Sequence, residues 1–292
     1  MSIDRRHFLV AAFASASAAA QGLAPGPLGQ PGQRHPGRFV WFDLATDDPD
    51  SARAFYGSVF GWRFRRVPDA NAGYTLIEND DGRVGGVLRQ ARPPQAPVGS
   101  RWLSLISVPD AQRSARLVPQ LGGQELVAPA EVPGRGTHAL FRDPQGAVFG
   151  VLAASGGDPP DGPVSEGEVF WLDLLTPDPA QAAAFYAALI GYDLSENEAG
   201  VLPRRRILSS QGIARAGVAA LPAGVSGPGW LPYILVDGLA AALRRALAAG
   251  GRVVLPPRPQ WLHGQLAVIA DPHGGVTGLV DWWAAQAKEA GS

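Results

Sequence analysis

Cysteine is absent from this chain of 292 residues, and methionine occurs only once. The absence of cysteine excludes disulfides, thiolate metal sites and cysteine nucleophiles. Charged residues make up only 17%, and the formal net charge is −1. Dense basic runs are missing except at Arg204–Arg206, which we interpret as a solvated face, so nucleic acid is not an expected partner. After residue 20, no apolar run approaches the roughly 20 residues of a membrane-spanning helix.

Apolar residues, glycine and proline are abundant by contrast. Hydrophobic residues make up 46% of the chain, which is enough to build a packed core. The 37 glycines and 27 prolines predict many turns and short elements. At roughly 150 residues per domain, the length predicts two domains.

The first residues, "DRRHFLVAAFASASAAA", pair Arg5 and Arg6 with a short apolar run. This segment resembles a twin-arginine export signal, although Asp4 and Val10 depart from the usual pattern. A chance arginine pair in an unstructured terminus is the alternative. The resemblance implies a signal peptide over residues 1–20 and a periplasmic or secreted protein, with no membrane contact beyond export.

The chain contains a long internal duplication. The stretch "FVWFDLATDDPDSARAFYGSVFGW" begins at Phe39, and "VFWLDLLTPDPAQAAAFYAALIGY" begins at Val169. Further downstream, "DPQGAVFGVL" matches "DPHGGVTGLV". A repeat of this length indicates a duplicated domain, not a solenoid. The predicted organisation is a signal (1–20), a flexible Pro/Gly-rich tether (21–37), module 1 (38–153), a linker (154–167), module 2 (168–284) and a tail (285–292).

The sequence of each module predicts secondary-structure elements in the order βαβββ, twice in succession. Phe39–Thr46 is typical of a strand, Asp48 of a helix N-cap and Pro49 of the first helical position. An apolar face at helical spacing follows, and Gly61 is expected to end the helix. Short strands then complete the unit before the pattern restarts at Trp102. The fold class is therefore α+β, with four βαβββ units and the helices on one face of curved sheets.

Paired βαβββ modules with "D-x-P…F-Y…G-W/Y" and a late "DPxG" resemble the vicinal oxygen chelate superfamily. This group contains glyoxalases, bleomycin-resistance proteins and extradiol dioxygenases. The motifs are read as helix starts and tight turns without chemistry of their own. Catalytic members usually hold a divalent metal with His, Glu or Gln side chains on the concave face. The corresponding positions are Trp41, Trp102 or Leu103, and Gly150 in module 1, and Trp171, Trp230 or Leu231, and Gly278 in module 2.

None of those side chains can coordinate a metal ion, so we predict neither a metal nor another cofactor. Glycine at 150 and 278 is expected to widen the floor of each concave cup. Strand alternation turns Phe42 and Leu44 toward the helices and Trp41 and Asp43 into the cup. A buried Asp43 needs a donor, for which His138, Arg142, a tryptophan N–H and a ligand are candidates. The predicted ligand-binding residues are Trp41, Asp43, Trp102 and His138 in module 1 and Trp171, Asp173, Trp230 and His263 in module 2.

Three functions remain open from the sequence. The first is a metal-free protein that binds a small aromatic or amphipathic molecule in its cups. The second is a metal-dependent lyase, isomerase or dioxygenase with relocated ligands, and the third is a non-catalytic interaction protein. The sequence leaves open whether the chain is an enzyme and whether it is a monomer or a homodimer. If it is an enzyme, the candidate catalytic residues are Asp43, His138, Asp173 and His263.

Overall fold

A computed structural model of the chain describes residues 28–30, 32–67, 73–90, 99–197, 205–222, 225 and 227–290. The predicted signal peptide lies outside these residues. Within these ranges, none of the helices has the length and apolar character that a membrane crossing requires.

Module 1 forms one eight-stranded sheet with two helices. Its strands are β1 (Phe39–Thr46), β2 (Arg63–Arg66), β3 (Thr75–Glu78), β4 (Arg83–Arg89), β5 (Ser100–Ser107), β6 (Gln124–Val132), β7 (Gly136–Arg142) and β8 (Val148–Ala154). Its helices are α1 (Pro49–Phe60) and α2 (Ala111–Gln120). The strand order is β2-β3-β4-β1-β5-β8-β7-β6. The two βαβββ units therefore join through the antiparallel pair of β1 and β5.

Module 2 repeats this arrangement. Its strands are β9 (Val169–Thr176), β10 (Asp193–Asn197), β11 (Arg205–Ser210), β12 (Ile213–Ala220), β13 (Gly229–Leu235), β14 (Arg252–Leu255), β15 (Leu266–Ala270) and β16 (Val276–Val280). Its helices are α3 (Pro179–Ile190), α4 (Leu239–Ala248) and α5 (Trp282–Ala290), with a short 3-10 turn at Leu262–Gly264. The order β10-β11-β12-β9-β13-β16-β15-β14 matches that of module 1. The predicted α+β class with two modules is confirmed, and α5 continues past the predicted boundary at residue 284.

Local sequence explains where the first helix of each module begins and ends. Asp48 accepts a hydrogen bond from the backbone N–H of Ser51, and Pro49 takes a position whose N–H would have no helical partner. Gly61 ends α1 in the left-handed region, at φ 71°, where a side chain would be strained. Helix α3 repeats this pattern with Asp178 and Gly191.

The helix-bearing faces of the two sheets share one hydrophobic core, in which α1 packs against α4. Two matching contacts cross it. The Tyr56 hydroxyl on α1 donates to Asp271 Oδ2 of the "DPHG" turn at 3.1 Å. The Tyr186 hydroxyl on α3 donates to Asp143 Oδ2 of the "DPQG" turn at 3.3 Å. The shared motifs therefore join each module to the other.

A second reciprocal pair involves the residue that follows the glycine of each helix end. Trp62 Nε1 donates to the carbonyl oxygen of Gly167 at 2.8 Å, two residues before β9 begins. The Tyr192 hydroxyl donates to the carbonyl oxygen of Gly37, two residues before β1 begins. A side chain of each module thus holds the segment that leads into the first strand of the other module.

The described part of the predicted tether is held in place, which differs from the expected flexible segment. The backbone N–H of His35 donates to Asp158 Oδ2 at 2.7 Å, and His35 Nδ1 lies 3.0 Å from Asp161 Oδ2. Asp161 also accepts two hydrogen bonds from Arg215 on β12, at 2.5 and 2.9 Å. The end of the tether and the linker between the modules therefore stabilise one another.

Candidate functional site

Each sheet has a face turned away from α1–α4, and we call these faces cup 1 and cup 2. The buried apolar residues of cup 1 are Val40, Trp41, Ala45, Val67, Leu76, Leu88, Leu103, Leu105, Leu126, Val127, Leu140, Val148, Leu152 and Ala154. Those of cup 2 are Leu231, Tyr233, Leu235, Leu266, Val268 and Val280, with Val164, Phe170, Trp171, Leu175, Leu255, Trp261, Leu262 and Trp282 half-buried around them. The predicted alternation on β1 is confirmed, because Phe42 and Leu44 lie in the shared core.

Cup 1 holds a closed polar cluster around Asp43. Asp43 Oδ1 accepts hydrogen bonds from Trp41 Nε1 at 2.9 Å and from the Tyr74 hydroxyl at 2.6 Å. One guanidinium nitrogen of Arg135 donates to the Tyr74 hydroxyl at 3.2 Å. The guanidinium carbon lies 4.2 Å from the centre of the Trp41 ring, which is a cation–π contact. The predicted tryptophan N–H donor is therefore present, whereas Tyr74 and Arg135 were not predicted.

A glycine on the neighbouring strand makes room for this cluster. Gly86 on β4 lies opposite Asp43 on β1. A Cβ at Gly86 would lie 2.0 Å from the Tyr74 hydroxyl and 2.7 Å from Asp43 Oδ1. The close approach of the phenol and the carboxylate therefore requires glycine at this position.

Burial controls the charge states in cup 1. Burial raises the pKa of the Asp43 carboxyl, while the positive charge of Arg135 and the hydrogen bonds from Tyr74 and Trp41 act in the opposite direction. His138 faces cup 1 because it lies opposite Leu152 on β8. Burial and the charge of Arg135 lower the pKa of His138 to about 4. At neutral pH the imidazole is thus uncharged, and Arg135 supplies the positive charge near Asp43.

Cup 2 repeats the tryptophan–aspartate pair with a different partner. Trp171 Nε1 donates to Asp173 Oδ1 at 2.9 Å. Arg205 donates from one terminal nitrogen to both oxygens of Asp173, each at 2.9 Å. Burial raises the pKa of Asp173, and the charge of Arg205 opposes that shift. Both side chains are buried, so they form a compensated ion pair at the floor of the cup.

The predicted solvated face at Arg204–Arg206 is wrong for Arg205, which is buried against Asp173. Arg206 does point outward, where it pairs with Glu196 at 3.2 Å. Arg204 lies outside the described residues. Gly217 on β12 gives the ion pair its space, because a Cβ there would lie 2.2 Å from Asp173 Oδ1.

Two predicted ligand-binding residues lie elsewhere. Trp102 is opposite Leu44, so it faces the helices, and its Nε1 donates to Thr277 Oγ1 of module 2 at 2.9 Å. Trp230 Nε1 donates to the Tyr186 hydroxyl at 3.1 Å within the shared core. Placing these two tryptophans in the cups was therefore wrong, because residues directly opposite in an antiparallel pair share a face.

The remaining predicted site residues lie in or beside the cups. Trp41, Asp43 and His138 are buried in cup 1, and Asp173 is buried in cup 2. Trp171 lines cup 2 and is half-buried. His263 is exposed in the turn Leu262–Gly264, with a left-handed φ of 50°.

The cups do not fit the divalent metal that the superfamily commonly holds. Facing residues at the expected ligand positions are Trp41, Leu103 and Gly150 in cup 1 and Trp171, Leu231 and Gly278 in cup 2. Among the described residues, no group of three or more His, Cys, Asp or Glu side chains is placed to hold a metal ion. Indole, alkyl and glycine groups offer no donor for such a cation.

The two glycines do not widen the cup floors as predicted, because neighbouring side chains fill the space. A Cβ at Gly278 would lie 2.0 Å from the ring of Tyr233, and one at Gly150 would lie 2.9 Å from the side chain of Leu105. The Tyr233 hydroxyl is buried beside Asp173, where it acts with Arg205 to oppose the rise in the pKa of that carboxyl. The ring of Tyr233 thus fills the space that a side chain at position 278 would occupy.

The two cups differ in access. In cup 1, Trp41, Asp43, Arg135 and His138 are each no more than 5% exposed, and Tyr74 beside them is half-buried. In cup 2, the aromatic side chains Phe170, Trp171, Trp261 and Trp282 are all half-buried. Trp282 at the start of α5 packs on Phe170, with ring centres 5.0 Å apart. Cup 2 therefore presents an accessible aromatic wall above a buried ion pair.

Comparisons with known proteins agree with this architecture. Residues 170–280 match a family model described as a glyoxalase-like domain, and residues 38–79 match one described as bleomycin resistance protein-like N-terminal. The anthracycline biosynthesis protein DauV of Streptomyces sp. (strain C5) is 30% identical over 260 residues, which cover 84% of this chain and 94% of DauV. The anthracycline biosynthesis protein DnrV of Streptomyces peucetius is 30% identical over 262 residues, with the same coverage of 84% and 94%.

A solved structure shows the same fold across both modules. The Mn(II)-bound glyoxalase from Novosphingobium aromaticivorans superposes with a TM-score of 0.58 at 19% identity, covering 85% of this chain and 82% of that one. At this identity the likeness concerns the fold alone. The similarity to DauV over most of both chains and the two family-model matches show that the chain belongs to the vicinal oxygen chelate superfamily as a two-module glyoxalase-like protein.

Proposed function

We propose that the chain binds a small planar aromatic or amphipathic molecule in cup 2, without a divalent metal. The half-buried aromatic wall of cup 2 above the Asp173–Arg205 pair carries this proposal. Half-exposed tryptophans gain apolar contact when a flat ligand covers them. A few polar groups in an otherwise apolar cup are typical of small-molecule sites, because they orient the ligand.

The names of the relatives support the choice of a first probe. DauV and DnrV are named for anthracycline biosynthesis, and an anthracycline is a flat fused-ring aromatic molecule with polar substituents. Such a molecule has the shape and polarity that an aromatic wall above an ion pair would accept. We therefore choose daunorubicin, a coloured and fluorescent anthracycline, as the probe.

The binding test uses tryptophan quenching and calorimetry with daunorubicin. Trp171→Ala is expected to weaken binding by about 30-fold, since removing a central aromatic contact costs about 2 kcal/mol. Trp283→Ala is the matched control, because Trp283 is 48% exposed and is not part of the cup 2 cluster. Equal affinity of the Trp171→Ala and wild-type proteins would contradict the proposal, as would the absence of binding by wild type.

The metal-free part of the proposal has its own measurement. Protein purified without chelators is expected to contain less than about 0.1 equivalent of zinc, iron, manganese or nickel, because the cup positions carry no ligating side chains. Stoichiometric metal that survives dialysis would overturn this part and favour a metal-dependent lyase, isomerase or dioxygenase.

We further propose that the chain is exported by the twin-arginine route, because Arg5 and Arg6 precede a short apolar, alanine-rich run. The double variant Arg5→Lys, Arg6→Lys keeps the charge of the segment but removes the arginine pair. It is expected to remain inside the cell, whereas wild type reaches the periplasm or medium. Equal distribution of both proteins on fractionation would refute export by this route.

A further inference from the structure

The two cups share a framework of equivalent positions. The strand register and repeat alignment pair Trp41 with Trp171, Asp43 with Asp173, Gly86 with Gly217, and Tyr74 with Arg205. Each cup therefore has an indole that donates to a buried carboxylate beside a glycine. These equivalent positions show which side chain lies over the indole in each cup.

In cup 1 the side chain of Arg135 covers one face of the Trp41 indole. Arg135 belongs to the turn between β6 and β7, and its guanidinium carbon lies over both rings, 4.2 Å from the centre of Trp41 and 5.6 Å from the centre of Tyr74. The side chain is only 5% exposed. A planar, delocalised cation thus lies over the indole and donates to the neighbouring hydroxyl.

In cup 2 the arginine near the indole is Arg205 on β11, not a residue of the turn that corresponds to the one carrying Arg135. Arg205 is held by both oxygens of Asp173, and its guanidinium carbon lies 5.4 Å from the centre of the Trp171 ring. The turn between β14 and β15, which corresponds to the turn that carries Arg135, contributes Trp261 and Leu262 to the wall. Trp171 remains half-buried, whereas Trp41 is 1% exposed.

We propose that Arg135 is a built-in occupant of cup 1, so that the chain binds one planar ligand per molecule, in cup 2 against Trp171. This inference rests on the proposed function for its ligand. The guanidinium of Arg135 takes the place over the indole that a planar ligand takes in the other module. Module 1 is thereby a filled copy, and the positive charge of Arg135 offsets the negative charge of Asp43 inside cup 1.

The first test counts ligands on the full chain by native mass spectrometry and calorimetry with daunorubicin. The expected result is one ligand per chain, bound about 30-fold more weakly by Trp171→Ala and with wild-type affinity by Arg135→Met, which retains the apolar volume of the side chain. Two ligands per wild-type chain would overturn the proposal. So would one ligand that Trp171→Ala binds with wild-type affinity. If wild type binds none, the proposed function fails, and the second test decides the role of Arg135.

The second test needs no ligand of cup 2. Arg135→Ala leaves a space over Trp41 that ethylguanidinium, the end of the missing side chain, can enter. Millimolar ethylguanidinium is expected to raise the Tm of Arg135→Ala by at least about 2 °C relative to its effect on wild type. Ethylammonium, which is charged but not planar, is the control and should not do so.

Arg135→Met is the control protein for this rescue, because its side chain fills the same space. Rescue of Arg135→Ala alone supports an occupant that stacks on Trp41. Equal effects of ethylguanidinium and ethylammonium, or no effect of either, would overturn it. If Arg135→Ala does not fold, ethylguanidinium must restore its soluble yield and ethylammonium must not, and failure of that restoration overturns the proposal equally.

Discussion

The two cups differ in the side chains that pair with the buried aspartate of each. The tryptophan–aspartate pair could be predicted from the sequence, because strand alternation places both residues on one face. Its partners Tyr74, Arg135 and Arg205 could not, since each comes from a distant position whose approach depends on strand register. The run Arg204–Arg206 illustrates the difficulty, because adjacent Arg205 and Arg206 have opposite surroundings.

The Asp173–Arg205 pair predicts strong coupling on mutation. Asp173→Asn or Arg205→Met alone is expected to lower the free energy of unfolding by about 3–5 kcal/mol, because the other charge stays buried without its partner. The double variant should lose less than the sum of the two, and urea unfolding of all four proteins measures the difference. Arg206→Met is the control and should cost no more than about 1 kcal/mol, because its pair with Glu196 is exposed. Additive losses at Asp173 and Arg205 would contradict the pairing.

The buried imidazole of His138 predicts a stability loss in acid. The pKa of His138 is lowered from 6.5 to about 4, so the folded state favours the neutral ring. Its contribution is fully present above pH 6.5 and is lost as the pH falls toward 4, by up to about 3 kcal/mol. Urea unfolding at several pH values should show this fall in wild type and a smaller one in His138→Gln.

His263→Gln provides the comparison for that experiment, because His263 is exposed. It should retain the wild-type acid dependence. Asp43 and Arg135, the charged groups of the same cup, are present in all three proteins, so the difference between variants isolates His138. Parallel pH curves for wild type and His138→Gln would rule out the imidazole as the cause.

Helix and strand boundaries were predicted from the sequence more completely than side-chain contacts were. Strand β1, the N-cap at Asp48 and the helix end at Gly61 agree with the structure because their signals are local. Trp102 was misplaced because the face of β5 depends on its pairing with β1, which no local pattern reveals. The bridging role of the "FY" and "DPxG" motifs was missed for the same reason, since each partner lies in the other module.

The tyrosines of α1 and α3 should therefore matter for stability. Tyr56→Phe is expected to cost about 1–2 kcal/mol of unfolding free energy, because Asp271 loses a buried hydrogen bond. Tyr186→Phe should cost about 1 kcal/mol more, since Trp230 Nε1 also loses its acceptor. Denaturant unfolding measures both, with Tyr233→Phe as the comparison, because the Tyr233 hydroxyl lies beside Asp173 of its own module and does not bridge to the other module. An equal loss in all three variants would show that the bridges contribute nothing specific.

Across the whole molecule, the duplication and the number of modules could be predicted from the repeat, whereas their joint core could not. Residues of both sheets and of α1–α4 belong to one buried cluster. Four hydrogen bonds from Tyr56, Trp62, Tyr186 and Tyr192 cross between modules or reach the segment that enters the other module. The two sheets are therefore expected to form one cooperative unit.

Calorimetry can test this cooperativity. Wild type should unfold in a single transition, with calorimetric and van't Hoff enthalpies in agreement. Saturating daunorubicin should move the whole transition upward, even though it binds only cup 2. Two separable transitions, or a ligand shift confined to half of the heat, would show that the modules unfold independently.

The crossed tyrosine–aspartate bridges also constrain how such a gene can change over time. A substitution in the helix of one copy is tolerated only if the turn of the other copy accommodates it, so these positions must evolve as pairs between the halves of the gene. Among the described residues, the hydrogen bonds of each tryptophan–aspartate cluster come from its own module, so each half is free to acquire or abandon a ligand alone. Aligned two-module relatives should accordingly show covariation between the helix of one half and the turn of the other, with divergence concentrated in the cups.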